Sequence, residues 1–259
     1  TTLNSIVITQ TLSTLILTET HTNVNCNGQS NGAINVTTTG GTAPITYSWS
    51  NLATTEDLSN LAAGTYNLIA TDALGCTANL SVAISQPAVL SGSVVATNVT
   101  CFGAANGILN LTVSGGTSPY TFVWSNAATT EDLTNLGPGA YSVVMTDAHG
   151  CTANANATIT QPSAPLSTTE THVNIDCTHP TGSIDLTVTG GTAGYAYAWS
   201  NGAFTQDLTG LAAGTYSVTV TDSKGCTTTN SVTITQDPNA MVLTETHTNI
   251  SCSGQTTGS

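Results

Sequence analysis

Cysteine has the widest choice of chemistry in this sequence: thiolate nucleophile, metal ligand or half of a disulfide. The seven cysteines fall in two series, Cys26, Cys101, Cys177 and Cys252 in one, Cys76, Cys151 and Cys226 in the other. Within a series the step is 75 or 76 residues, and a second-series cysteine follows each of the first three by 50, 50 and 49 residues. No C-x-x-C occurs, so metal binding lacks its usual spacing. One bridge per unit in an oxidising compartment is the expectation: Cys26 with Cys76, Cys101 with Cys151, and Cys177 with Cys226, the partner of Cys252 lying outside the sequence. Closing a loop of about 50 residues stabilises a small domain by ~4 kcal/mol in the chain-entropy model.

Four other constellations carry possible chemistry. Gly28-Gln29-Ser30-Asn31-Gly32 spells G-x-S-x-G, but a nucleophile elbow needs a strand before it and a helix after it. Strand-like sequence flanks it on both sides, and the next unit has Gly103-Ala104-Ala105-Asn106-Gly107 instead, so no catalytic residue is assigned. Glu19 and His21, Glu170 and His172, and Glu245 and His247 stand two apart, hence on one face of a strand, where they pair with each other or share a cation. Carboxylates recur at Glu56, Asp57, Glu131, Asp132 and Asp207 and again at Asp72, Asp147 and Asp222; if the two sets meet, they are the oxygen ligands for calcium, the one cofactor considered. Trp49, Trp124 and Trp199 offer either core packing or a platform for sugars, and alternation with polar neighbours favours the core.

These residues sit on strands and turns. Ile34, Val36 and Thr38 alternate with polar neighbours, as do Ile45, Tyr47 and Trp49, the period of a half-buried strand. Asp72 to Gly75, Asp147 to Gly150 and Asp222 to Gly225 place Asp first and Gly fourth, as a type I turn closing on a left-handed Gly requires, which predicts a hairpin ending at each second-series cysteine. About six or seven strands per unit predict two packed antiparallel sheets. Cys, Trp, Cys in order suggests an Ig-like sandwich, although the Trp lies midway between the cysteines and no Tyr stands two residues before the second. The expected fold is thus all-β: tandem Ig-like antiparallel β-sandwich repeats of about 75 residues, each with one disulfide.

Gln86-Pro87, Gln161-Pro162 and Gln236-Asp237-Pro238 close the units, which places whole repeats at 15–87, 88–162 and 163–238. Residues 1–14 then hold the last strand of a preceding repeat with its linker, and 239–259 the start of a fourth, so a longer parent chain is expected. The short Pro-bearing joints predict stiff connections.

Charge removes whole classes of partner. Only 6% of residues are charged, Lys224 is the one Lys or Arg, and the formal net charge is −13. Nucleic acid and anionic membrane surfaces both require Lys and Arg, so neither is a partner. No apolar stretch approaches the ~18 residues that span a bilayer.

The unit as a whole, from G-x-I/L-x-L/V-x-V/T-x-G-G-T through Trp-Ser-Asn and L-x-x-G-x-Y-x-V to T-D-x-x-G-C-T, resembles the SprB-type repeat of large Bacteroidota cell-surface adhesins. The resemblance implies secretion, an extracellular location on the bacterial surface, very long chains, roles in adhesion, gliding or biofilm, and no catalytic residues. The expected function is a structural and adhesive stalk, not an enzyme, whose partners are the other repeats of its own chain and, beyond them, extracellular polysaccharide. A self-assembling filament or sheath of like copies is the alternative, and a carbohydrate-binding or calcium-binding array the second.

Overall fold

A computed structural model of the chain describes residues 14–236. They contain eighteen strands and no helix, and a pattern of six strands occurs three times. The first six are β1 (Ile16–Thr22), β2 (Gly32–Thr39), β3 (Thr46–Trp49), β4 (Leu58–Leu61), β5 (Gly64–Thr71) and β6 (Thr77–Ile84). β7 (Ser91–Thr97), β8 (Gly107–Ser114), β9 (Thr121–Trp124), β10 (Leu133–Leu136), β11 (Gly139–Thr146) and β12 (Thr152–Ile159) follow. β13 (Ser167–Val173), β14 (Gly182–Thr189), β15 (Ala196–Trp199), β16 (Leu208–Leu211), β17 (Gly214–Thr221) and β18 (Thr227–Ile234) complete the third set.

Each set forms two three-stranded antiparallel sheets, ordered β1-β2-β4 and β3-β5-β6 in the first. The alternation seen in the sequence decides their inner faces, since successive side chains of a strand point to opposite sides. Ile34 and Val36 of β2 and Leu58 and Leu61 of β4 meet Trp49 of β3, Leu68 of β5 and Val82 and Ile84 of β6 in one core. Ile184, Leu186, Trp199, Leu208, Leu211, Val218, Val220, Val232 and Ile234 build the corresponding core of the third set. This is an Ig-like sandwich. The segment after the first strand runs beside the end of the last: Val24 N–H donates to the Ser85 carbonyl at 2.9 Å, Val99 to Thr160 at 3.2 Å, and Ile175 bridges Gln236 in parallel.

The described residues form two compact units, one holding residues 14–96 with 109–133 and 140–158, the other 97–108, 134–139 and 159–236. The first thus contains the whole first six-strand set, the second the whole third, and each takes part of the middle set.

Candidate functional site: two interleaved disulfide staples

In each set the turn after the fifth strand is built around a buried Asp. Asp72 Oδ1 accepts the N–H groups of Leu74 and Cys76 at 2.9 and 2.8 Å, and its Oδ2 accepts Thr42 N–H at 3.0 Å. Asp147 takes His149, Cys151 and Thr117 in the same way, all at 2.9 Å, and Asp222 takes Lys224, Cys226 and Thr192 at 2.9, 2.9 and 2.8 Å. The Thr42 amide leads in holding the Asp72 carboxyl below its ordinary range. At Asp147 and Asp222 burial pushes the carboxyl up, and the backbone donors together outweigh it, so both also lie below that range. The turn closes as expected, with Gly75 N–H on the Asp72 carbonyl at 3.0 Å and Gly75 at φ +81°.

The first-series cysteine lies at the other end of the sandwich. Asn27 Nδ2 donates to the Pro87 carbonyl at 2.9 Å and Gly28 N–H to Gln86 Oε1 at 2.7 Å, so the Cys26 loop is tied to the exit of β6. Asn23 Oδ1 accepts Ser85 N–H at 2.8 Å and Asn31 Oδ1 accepts Asn25 N–H at 3.0 Å, which fixes the loop from both sides. The second set repeats this with Gly103 N–H on Gln161 Oε1 at 2.8 Å and Thr160 N–H on Asn98 Oδ1 at 2.8 Å. The sequence marks Gln86 and Gln161 only as the ends of their units and gives Asn23, Asn98 and Asn174 no role in the loop, although all five recur at the repeat spacing.

The expected pairing within each repeat is therefore wrong. Cys76 precedes β6 and Cys26 is held beyond its far end; eight residues of strand at about 3.3 Å each put roughly 25 Å between them, whereas bridged Cα atoms lie within ~7 Å. The bonds formed are Cys26–Cys151 and Cys101–Cys226, each across 125 residues with Cα atoms 5.7 Å apart. Cys76 and Cys177 are free and exposed, and Cys252 lies outside the described residues.

The path of the chain explains the partners. After Pro87 it passes directly to Ala88, whose carbonyl accepts Gly116 N–H at 2.9 Å. Thr117 next to it binds Asp147 through its N–H and accepts Ala148 N–H through its carbonyl at 2.9 Å. The second-series turn of the following repeat thus lies where its chain begins, against the exit of the repeat before. Cys151 Sγ also contacts the Asn25 carbonyl at 3.4 Å, and a groove lined by Cys26, Asn27, Val89, Leu90, Gly150 and Thr152 opens beside the bond. The second unit builds the same joint through Gly191 N–H on Ala164, Ser223 N–H on Thr192, and Cys226 Sγ 3.4 Å from the Thr100 carbonyl. In the chain-entropy model each bond, closing 125 residues, contributes about 5 kcal/mol.

The acidic residues considered for calcium are committed elsewhere. Asp57, Asp132 and Asp207 each accept a backbone N–H of the second strand of their set, from Val36, Leu111 and Leu186 at 2.8, 2.8 and 2.9 Å. They do not meet the turn aspartates Asp72, Asp147 and Asp222: among the described residues no three of His, Cys, Asp and Glu, Glu56 and Glu131 included, form a group that could hold a metal ion. Glu19 pairs with His21 and Glu170 with His172, Oε2 to Nδ1 at 3.0 Å in both, and Glu245 and His247 lie outside the described residues. Trp49, Trp124 and Trp199 are 2, 2 and 5% exposed, and each indole N–H donates at 2.9 Å to a carbonyl six residues on, which leaves no ring face for a sugar.

The third cysteine loop departs from the others. It is one residue shorter, and Asp176 Oδ1 gathers Thr178 Oγ1 and the N–H groups of Thr178 and His179, each at 2.7 Å. The Thr178 hydroxyl leads in holding the Asp176 carboxyl well below the usual carboxylate range.

Comparison with known proteins gives one family. A family model described as SprB repeat matches residues 18–54, 93–129 and 169–204. Among solved structures, the eight N-terminal Ig domains of Down Syndrome Cell Adhesion Molecule share 12% identity at a TM-score of 0.33 over 81% of this chain, which spans 34% of that one. Extracellular domains 3–5 of Drosophila OTK share 12% at 0.26, over 79% of this chain and 91% of that one. A tetra-tandem repeat in the extending region of a large adhesion protein shares 18% at 0.25, over 85% of this chain and 74% of that one. Superpositions of this extent bear on neither partner nor activity, and no curated protein matches the chain. The first-series cysteine, the Gly-Gly-Thr turn and the Trp-Ser-Asn strand of each six-strand set fall within the three matched segments, so the chain carries three segments that match the SprB repeat, one in each set.

Proposed function

We propose that the chain is a load-bearing segment of a stalk on a long secreted bacterial cell-surface protein, with 15–87, 88–162 and 163–238 as its modules and adhesion as its task. The observation that carries this reading is the staple geometry. A disulfide inside a module protects that module alone, whereas Cys26–Cys151 and Cys101–Cys226 overlap along the chain, so tension reaches the middle repeat through two covalent routes. Such bonds persist in an oxidising, extracellular setting. The polar groups of the joints serve the backbone: turn carboxylates and loop amides satisfy N–H groups. Extracellular polysaccharide remains a candidate ligand, through a surface other than the tryptophans.

Antibodies against the chain, applied to intact cells that produce it, test the reading. Labelling without permeabilisation, together with loss of surface attachment when residues 88–162 are deleted in frame, is the expected result. Antigen found only after permeabilisation, or attachment unchanged by the deletion, overturns it.

A further inference from the structure

We infer that Cys76 and Cys177 are open ends of a continuous disulfide ladder, each built to receive the opposite-series cysteine of a further repeat of this kind docked end to end. The two bonds present follow one rule: a first-series cysteine joins the second-series cysteine of the repeat after it. Under that rule Cys76 takes a first-series cysteine from a repeat ahead of β1, and Cys177 takes a second-series cysteine from a repeat after β18. Both thiols are exposed, as the rule requires for positions whose partners are not among the described residues.

Cys76 is already set for the bond. Its N–H sits on Asp72 Oδ1 at 2.8 Å, as those of the bonded Cys151 and Cys226 sit on Asp147 and Asp222 at 2.9 Å. Thr42, which locks that turn, holds Ala73 N–H through its carbonyl at 2.9 Å, as Thr117 holds Ala148. Cys177 follows Asp176 at the exit of its repeat, where Ile175 N–H donates to the Thr235 carbonyl at 2.9 Å and Asn174 Oδ1 accepts Thr235 N–H at 2.9 Å. Cys26 and Cys101 occupy the same place, tied to Gln86 and Gln161. The partner recognised at each end is a repeat whose own turn or loop presents one thiol in the complementary position. The joining step is oxidation of two thiols to one disulfide, with two protons and two electrons passing to an oxidant such as glutathione disulfide.

The test flanks residues 13–238 with a copy of residues 88–162 on each side. This places the leading copy's Cys101 and Cys76, and likewise Cys177 and the trailing copy's Cys151, 125 residues apart, the separation of both bonds already formed. After folding in a glutathione redox buffer, alkylation and non-reducing peptide mapping should show Cys76 and Cys177 protected and joined to those partners. Alkylation of both in the flanked chain, or closure of a bond within either added copy, overturns the inference. The unflanked chain gives a second check should the longer one fail to fold. There Cys26→Ser should expose one new alkylatable thiol, at Cys151, with Cys101–Cys226 intact; a new thiol at Cys76 or Cys101 overturns the ladder. These outcomes are independent of the stalk reading, since a ladder can form in a protein that is not on the cell surface.

Discussion

Force spectroscopy on the whole chain separates interleaved staples from staples confined to single repeats. With both bonds closed, the shortest covalent path from residue 26 to 226 crosses to 151, returns along 50 residues to 101, and crosses to 226. Full reduction opens it to about 200 residues, a gain of about 150, or roughly 500 Å of contour at ~3.5 Å per residue. The two bonds contribute very unequally. Cys26→Ser alone leaves a path of 75 residues through Cys101, so the gain is about 25 residues, roughly 90 Å. Breaking Cys101–Cys226 in that variant then adds about 125 more, roughly 440 Å. Pairs within repeats would give nearly the same total on reduction, but each removal would release about 50 residues, roughly 170 Å, in any order. The molecule is pulled from its termini under oxidising conditions, wild type beside Cys26→Ser and the Cys26→Ser, Cys101→Ser double variant. Equal, additive steps near 170 Å would refute the interleaved arrangement.

Three further outcomes follow from the packing. Trp49→Ala should destabilise the first repeat by about 3–5 kcal/mol, the usual cost of truncating a large buried aromatic, read by hydrogen exchange of the β2 and β5 amides, while Trp124 and Trp199 fluorescence still reports their own repeats. Asp147→Asn should cost more stability at pH 7 than at pH 3 in urea melts. The folded carboxyl lies below its unfolded value near ~3.9, so its contribution is present above that value and is lost as pH falls through the lower folded one; equal losses at both pH values would show that the charge is idle. Gly190→Ala should lower the melting temperature of the third repeat sharply, because φ there is +69° and a Cβ would meet the Pro165 carbonyl, whereas Gly225→Ala, at φ +84° with open space around it, carries the backbone cost alone; similar melts for both variants would refute the close approach.

Much of the fold is legible before any coordinates. The period shows in Trp49, Trp124 and Trp199, and the alternation at Ile34 and Val36 shows which face turns inward, because a strand's geometry is local and its inner face must be apolar. Asp72 with Gly75 announces the hairpin turn for the same reason: both ends of the rule lie within four residues. The roles of Asn23 and Gln86 in holding the cysteine loop are not legible there, since the donors they satisfy, Ser85 N–H and Gly28 N–H, lie about 60 residues away in sequence.

The cysteine pairing shows where sequence stops. Translation along a repeat makes every constant offset equally regular, so equal spacing is as compatible with a step of 125 as with a step of 50. The sequence by itself determined that there are two cysteine positions per unit, one after the first strand and one before the last. Only the tertiary structure decided that these positions lie at opposite ends of the sandwich, because β6 runs its full length between them and the chain leaves each repeat beside the first position. A bond shorter than ~7 Å between Cα atoms cannot span a strand of roughly 25 Å, and the nearest opposite thiol is the one the next repeat brings to that end.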